Sequence, residues 1–199
     1  MVLALDLSLS STGWAKFSKD GKLIDKGKII PSDSLDNHFK MVYLADTIKG
    51  MIHNCDELVI EDIFLGKNFF GIKELARLSG AVIYMWITNK FKLPTFYMAS
   101  TARKNAGIKS TSQKAETQLF ILDKYGFASK DKLKEYSSKI SEVLSIKEKG
   151  KRKYQLEKVS NLIEKETGYG NDLCDAIILG LAYFNKHRGL FEWRLETAS

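Results

Sequence analysis

A chain of 199 residues that is 44% hydrophobic can bury one sizeable core, so a single domain over 1–199, with room for an insertion, is expected. No apolar run reaches the ~18 residues that a membrane-spanning helix needs, and the first residues lack the basic-then-apolar layout of a signal peptide, which argues for a cytoplasmic, intracellular protein. The 31 basic against 24 acidic residues leave a net charge of +7, which suits a polyanionic partner such as nucleic acid.

Cys55 and Cys174 lie far apart in apolar surroundings and lack metal-ligand spacing, so both read as reduced packing residues. Residues 2–9 have the apolar pattern of a buried strand, 12–18 read as a second strand, and Asp20-Gly21 is a strong hairpin turn. A third strand runs from Leu23 to Ile30 and ends at Pro31, which completes a three-stranded meander. Asp6 falls on its first strand. There an ionised carboxylate loses hydration and needs compensation, whether from backbone amides or from a cation.

Ser32 to Asp36 offers helix caps, and Leu35, Phe39, Val42, Ala45, Ile48 and Ile52 recur at helical spacing, which predicts an amphipathic helix on the sheet. Glu57-Leu-Val-Ile-Glu-Asp62 is a short apolar run closed by acids, the pattern of a buried parallel strand whose carboxyl end reaches a site at Glu61. Next comes a loop of mixed basic and aromatic character, with Phe64, Lys67, Asn68 and Phe69. A long helix over about 72–91 follows, and a fifth strand over 93–98 starts at a proline-tolerant position.

Arg103, Lys104 and Lys109 crowd the next loop, and Ser110 to Gln113 forms a capping box for a helix that runs to about Tyr125, with Lys114 in its first turn. Basic groups at a helix start are either indifferent surface residues or a phosphate contact. Residues 129–167 read as two amphipathic helices about Gly150, a basic helical insertion tipped by Lys147 to Lys153. From Gly168 the chain enters a helix that is apolar nearly all round, with Asp172 and Asp175 three residues apart on one side of its first turns.

Each of these acids has a plainer explanation when taken alone, as a strand-end bond or a helix cap. Their order along the chain changes the balance. If the first and fourth strands are neighbours, about 4.8 Å apart, Asp6 and Glu61 can share a cation, and the last helix can bring Asp172 and Asp175 over the same edge. Four carboxylates in one site repel unless divalent cations neutralise them. Hard oxygen ligands select Mg2+, with Mn2+ able to substitute, and two ions per site suit phosphodiester hydrolysis.

The pieces Leu-Asp-Leu-Ser-Leu-Ser-Ser-Thr-Gly-Trp14, Ile60-Glu-Asp-Ile-Phe-Leu-Gly-Lys-Asn68, Leu78-Ser-Gly-Ala-Val82, Pro94 and Asp172-Leu-Cys-Asp-Ala176 together resemble the RuvC family of Holliday-junction resolvases, in the RNase H-like superfamily. The resemblance spans most of the chain outside 129–167. It implies an α/β fold: a mixed five-stranded sheet, three antiparallel strands then two parallel, with helices on both faces and a helical insertion. It also implies a metal-dependent endodeoxyribonuclease that resolves four-way DNA junctions by paired symmetric nicks.

In this resemblance Asp6, Glu61, Asp172 and Asp175 correspond to the catalytic metal-binding acids. Phe64 corresponds to an aromatic wedged against junction bases, Lys67 and Asn68 to a pair beside the DNA, and Lys104 and Lys114 to phosphate contacts. The family is homodimeric, and the helix from Ile72 onward corresponds to its interface. Asp6 is followed by Leu-Ser where bacterial members commonly carry Pro-Gly, Asp62 stands where Gln is common, and the insertion is long. These departures resemble phage-type members, which act in a bacterial host. Three other readings stay open: an RNase H-like nuclease on other branched DNA or RNA/DNA hybrids, a catalytically inactive junction-binding protein, and an actin-like kinase, for which the chain is short.

Overall fold

The computed structural model of the chain describes residues 1–63 and 69–196. Strands β1 (Val2–Asp6), β2 (Thr12–Phe17), β3 (Leu23–Ile29), β4 (Glu57–Glu61) and β5 (Thr95–Tyr97) form one sheet in the order β3-β2-β1-β4-β5. The first three pair antiparallel, and β4 and β5 add in parallel. This is the expected mixed sheet. Its hairpin turns at Gly21, whose φ of 83° needs no Cβ penalty, and the Gly21 amide donates to the Ser18 carbonyl.

Alternation along the strands divides the core into two layers. Leu3, Leu5, Leu58 and Ile60 face the helices α1 (Asn37–Ile52) and α2 (Phe69–Lys90), where Leu44, Ile48, Leu78, Val82 and Trp86 are buried. Val2, Ala4, Ala15, Phe17 and Val59 face α7 (Asn171–Glu196), whose residues 176–179 are wholly or almost wholly buried, as its all-round apolar pattern requires. Cys55 and Cys174 are both buried and free.

The α1 face is the expected one only in part: Ile48 and Ile52 are buried, together with Leu44, whereas Phe39 and Val42 are exposed. Apolar residues spread beyond one face of this helix, and periodicity alone cannot choose among them. The segment after β5 also departs from expectation: Arg103 and Lys104 sit on a helix, α3 (Ala99–Ala106), which buries Ala102 and Ala106 and ends on Gly107 at φ 95°. Helix α4 (Lys114–Tyr125) starts three residues later than the expected box, with the Glu116 carboxylate accepting from the Gln113 amide at 2.6 Å. Helices α5 (Lys130–Leu144) and α6 (Lys149–Thr167) join before Gly150, which lies in the first turn of α6. They share a core with α4 built on Leu122, Tyr136, Ile140, Leu156, Val159 and Ile163.

Candidate active site

Asp6 and Glu61 end neighbouring parallel strands, one step beyond the registered pair Leu5 and Ile60. Side chains alternate, so both carboxylates lie on the face of Val2, Ala4 and Val59, toward α7. Asp6 is also registered with Gly13, Gly13 with Lys28, and Glu61 with Tyr97. Lys28, Gly13, Asp6, Glu61 and Tyr97 therefore form one row across the sheet. Beyond Asp6 the chain turns back tightly, with the Thr12 hydroxyl donating to the Ser8 carbonyl at 2.8 Å and accepting from the Ser8 amide at 3.2 Å.

The α7 helix brings the second pair of acids to this row. A Cβ on Gly13 would lie 1.9 Å from the Asp172 carbonyl oxygen, so the first turn of α7 rests directly on the β2 backbone beside Asp6. Farther along, Gly180 fits against the Phe17 ring, where a Cβ would come within 2.0 Å. Gly13 is a site residue that the motif reading passed over. An isolated glycine inside a strand pattern marks close approach of another backbone, and that signal was present in Thr12-Gly-Trp14.

The charges of these acids are coupled. Burial, then the negative charges of Asp175, Glu61 and Asp172, hold the Asp6 carboxyl well above the usual carboxylate range, with Lys114 opposing. Burial and Asp175 push Glu61 up to about 7, against the pull of Arg103. Burial also raises Asp175, countered by Arg103 and Lys114. Arg103 approaches Asp175 at 3.6 Å, and its Nε is buried without a hydrogen-bond partner among the described residues. Thus Arg103 and Lys114 both act on the acids from helices packed on the α7 side of the sheet.

Lys104 and Lys109 are exposed. Phe64, Lys67 and Asn68 lie outside the described residues, as does the side chain of Phe69. A cavity of about 290 Å³ opens at the carboxyl ends of β1 and β4, lined by Asp6, Glu61, Asp62, Ile63 and Ser79 among others.

Among the described residues, no three His, Cys, Asp or Glu side chains are grouped tightly enough to hold an ion as they stand. The donor set fits such an ion. It is all hard oxygen, and the shifts of Asp6, Glu61 and Asp175 arise from burial and mutual repulsion that a divalent charge would offset.

No family model matches the sequence, and no curated protein matches it. The fold, however, is similar to solved structures. One, titled "T. thermophilus RuvC in complex with Holliday junction substrate", is 11% identical over 94% of each chain with a TM-score of 0.57. Another, "Thermus thermophilus RuvC structure", is 13% identical over 96% of each chain with a TM-score of 0.56. At this identity the likeness concerns architecture, and the chain has the RuvC-type, RNase H-like fold.

Proposed function

We propose that this protein is a metal-dependent, structure-specific DNA endonuclease that resolves four-way junctions. The observation that carries the reading is the placement of Asp6 and Glu61 at the ends of neighbouring strands, with the start of α7, which bears Asp172 and Asp175, packed on β2 beside them. A pure DNA binder gains nothing from four acids turned toward phosphates. The likeness to a RuvC bound to a Holliday junction supports the choice of branched DNA.

In this mechanism Asp6, Glu61, Asp172 and Asp175 would hold two Mg2+ ions, or Mn2+ in their place, and the bound metal would provide an activated water at neutral pH and charge stabilisation at the scissile phosphate and leaving oxygen. Arg103 holds Asp175 in place from α3 and supplies positive charge to a site crowded with carboxylates. Lys114, on the first turn of α4, offers a cation to the entering phosphate, and exposed Lys104 and Lys109 extend that surface. Phe64, Lys67, Asn68 and Phe69 take the roles of wedge and flanking DNA contacts. The chain acts inside the cell, in the manner of a phage-type member, and none of its described helices is long and apolar enough to cross a membrane.

Paired nicks require two sites, so the active species is a homodimer. Tyr84 on α2 is 70% exposed, and Phe91 and Leu93 just beyond it are 92% and 73% exposed, an apolar surface that supports self-association.

The test is side-by-side cleavage of four-way junction, fork, duplex and RNA/DNA hybrid, with wild-type protein and Asp6→Asn. Symmetric paired nicks in the junction are expected with Mg2+ or Mn2+. The variant should bind the junction normally and lose at least about 10³-fold in rate, since it removes a carboxylate ligand without adding bulk. Preferential cutting of the hybrid, or normal cleavage by the variant, overturns the assignment.

A further inference from the structure

The basic composition of α5 and α6 invites a DNA-binding role, but their contacts lead to the active site. Gln118, buried on α4, donates from Nε2 to the carbonyls of Ser160 at 3.2 Å and Tyr169 at 2.9 Å. The Ser160 hydroxyl on α6 donates to Oδ1 of Asn171, the first residue of α7, at 3.1 Å. Tyr169 stacks on Phe127 with ring centroids 4.6 Å apart, and the Lys26 ammonium lies 4.5 Å from the Phe127 ring.

Glu164 closes the joint. Its carboxylate lies over Gly170, where a Cβ would meet Oε1 at 2.1 Å, and it pairs with Lys28 of β3 at 2.5 Å. Lys28 is registered with Gly13, the residue on which Asp172 rests. The connector Gly168-Tyr169-Gly170 has a φ of 77° at Gly168 and two residues without side chains, so it has little stiffness of its own. Contacts from α4, α6 and β3 must therefore set where α7 begins.

We propose that Glu164, acting with Lys28, is a positioning residue for Asp172 and Asp175, and that α6 is a buttress which fixes the first turn of α7 against β2. The inference rests on the nuclease reading for its consequence in catalysis. A partly exposed ion pair contributes little to global stability, so its loss should show at the acids more than in the melting temperature.

The experiment compares wild type, Glu164→Gln, Glu164→Ala and the charge-exchanged double variant Lys28→Glu/Glu164→Lys. Five quantities are measured: Mn2+ affinity by electron paramagnetic resonance, kcat and KM on a four-way junction, melting temperature, and hydrogen exchange at the Cys174 and Asp175 amides. Both single variants should lose about 10- to 100-fold in Mn2+ affinity and kcat, the scale of lost outer-shell support, with KM and melting temperature little changed. Exchange at the two amides should quicken, and the charge exchange should restore most of each loss.

Unchanged Mn2+ affinity and kcat in Glu164→Ala, or losses that merely follow unfolding, overturn the proposal. If wild type neither binds Mn2+ nor cuts any substrate, the nuclease reading has failed. The exchange measurement then decides the buttress by itself, with unchanged rates at Cys174 and Asp175 rejecting it.

Discussion

At the residue scale, Glu61 shows what the fold does to an ordinary carboxylate. Burial beside Asp175 raises it from 4.5 to about 7, so the folded protein binds a proton there that the unfolded chain has already released. The contribution of Glu61 to the stability of the metal-free protein is therefore fully present below about pH 4.5 and declines as pH rises between about 4.5 and about 7. The loss should be on the order of 3 kcal/mol, to which Asp6 and Asp175 add in the same direction. Mn2+ should reverse the trend by favouring the ionised acids. Thermal melts across that range with and without Mn2+ check this, and Glu61→Gln should flatten the metal-free slope. Arg103 belongs at the same scale. Its sequence context suggests a basic loop, whereas it sits on α3 with its guanidinium 3.6 Å from Asp175 and lowers two of the site acids.

At the element scale, the docking of α7 on β2 builds the site. The helix is apolar enough to be drawn into the core, but its height above the strand at Asp6 depends on Gly13 having no side chain. Gly13→Ala would set a methyl 1.9 Å from a backbone oxygen, and backbone cannot rotate away as a side-chain end can. The expected cost is at least about 2 kcal/mol in urea unfolding, with Mn2+ affinity reduced because Asp172 moves away from Asp6. An unchanged unfolding midpoint would mean that α7 tolerates the shift. Helices α1 and α3 carry a different lesson. Phe39 and Val42 fit the helical stripe of Ile48 and Ile52 yet are exposed, with Leu44 buried beside Ile48 and Ile52, and the small residues of α3 hid a helix in what reads as a basic loop.

At the scale of the whole molecule, acids gather at the end of the sheet while a net charge of +7 covers the chain. Neutralising phosphates releases counterions, so junction affinity should fall steeply with salt, by about two to three orders of magnitude between about 50 and about 200 mM. Fluorescence anisotropy of a labelled four-way junction with Asp6→Asn measures this without cleavage. A flat salt response would mean that the basic surface lies away from the DNA.

Local sequence patterns mark the strand segments, the burial of α7 and the candidacy of four acids, while the mixed sheet is what the family resemblance implies and its strand order comes from the fold. Those local patterns are alternation, an apolar run closed by Glu61, and an apolar helix opened by Asp172. How the acids meet depends on the packing of separate elements. The row from Lys28 through Gly13, Asp6 and Glu61 joins residues from separate strands. The contact of Asp172 with Gly13, the reach of Arg103 and the Glu164 joint likewise connect elements far apart in the chain. Such approaches depend on packing distances between whole elements, and periodicity along one segment carries no record of them.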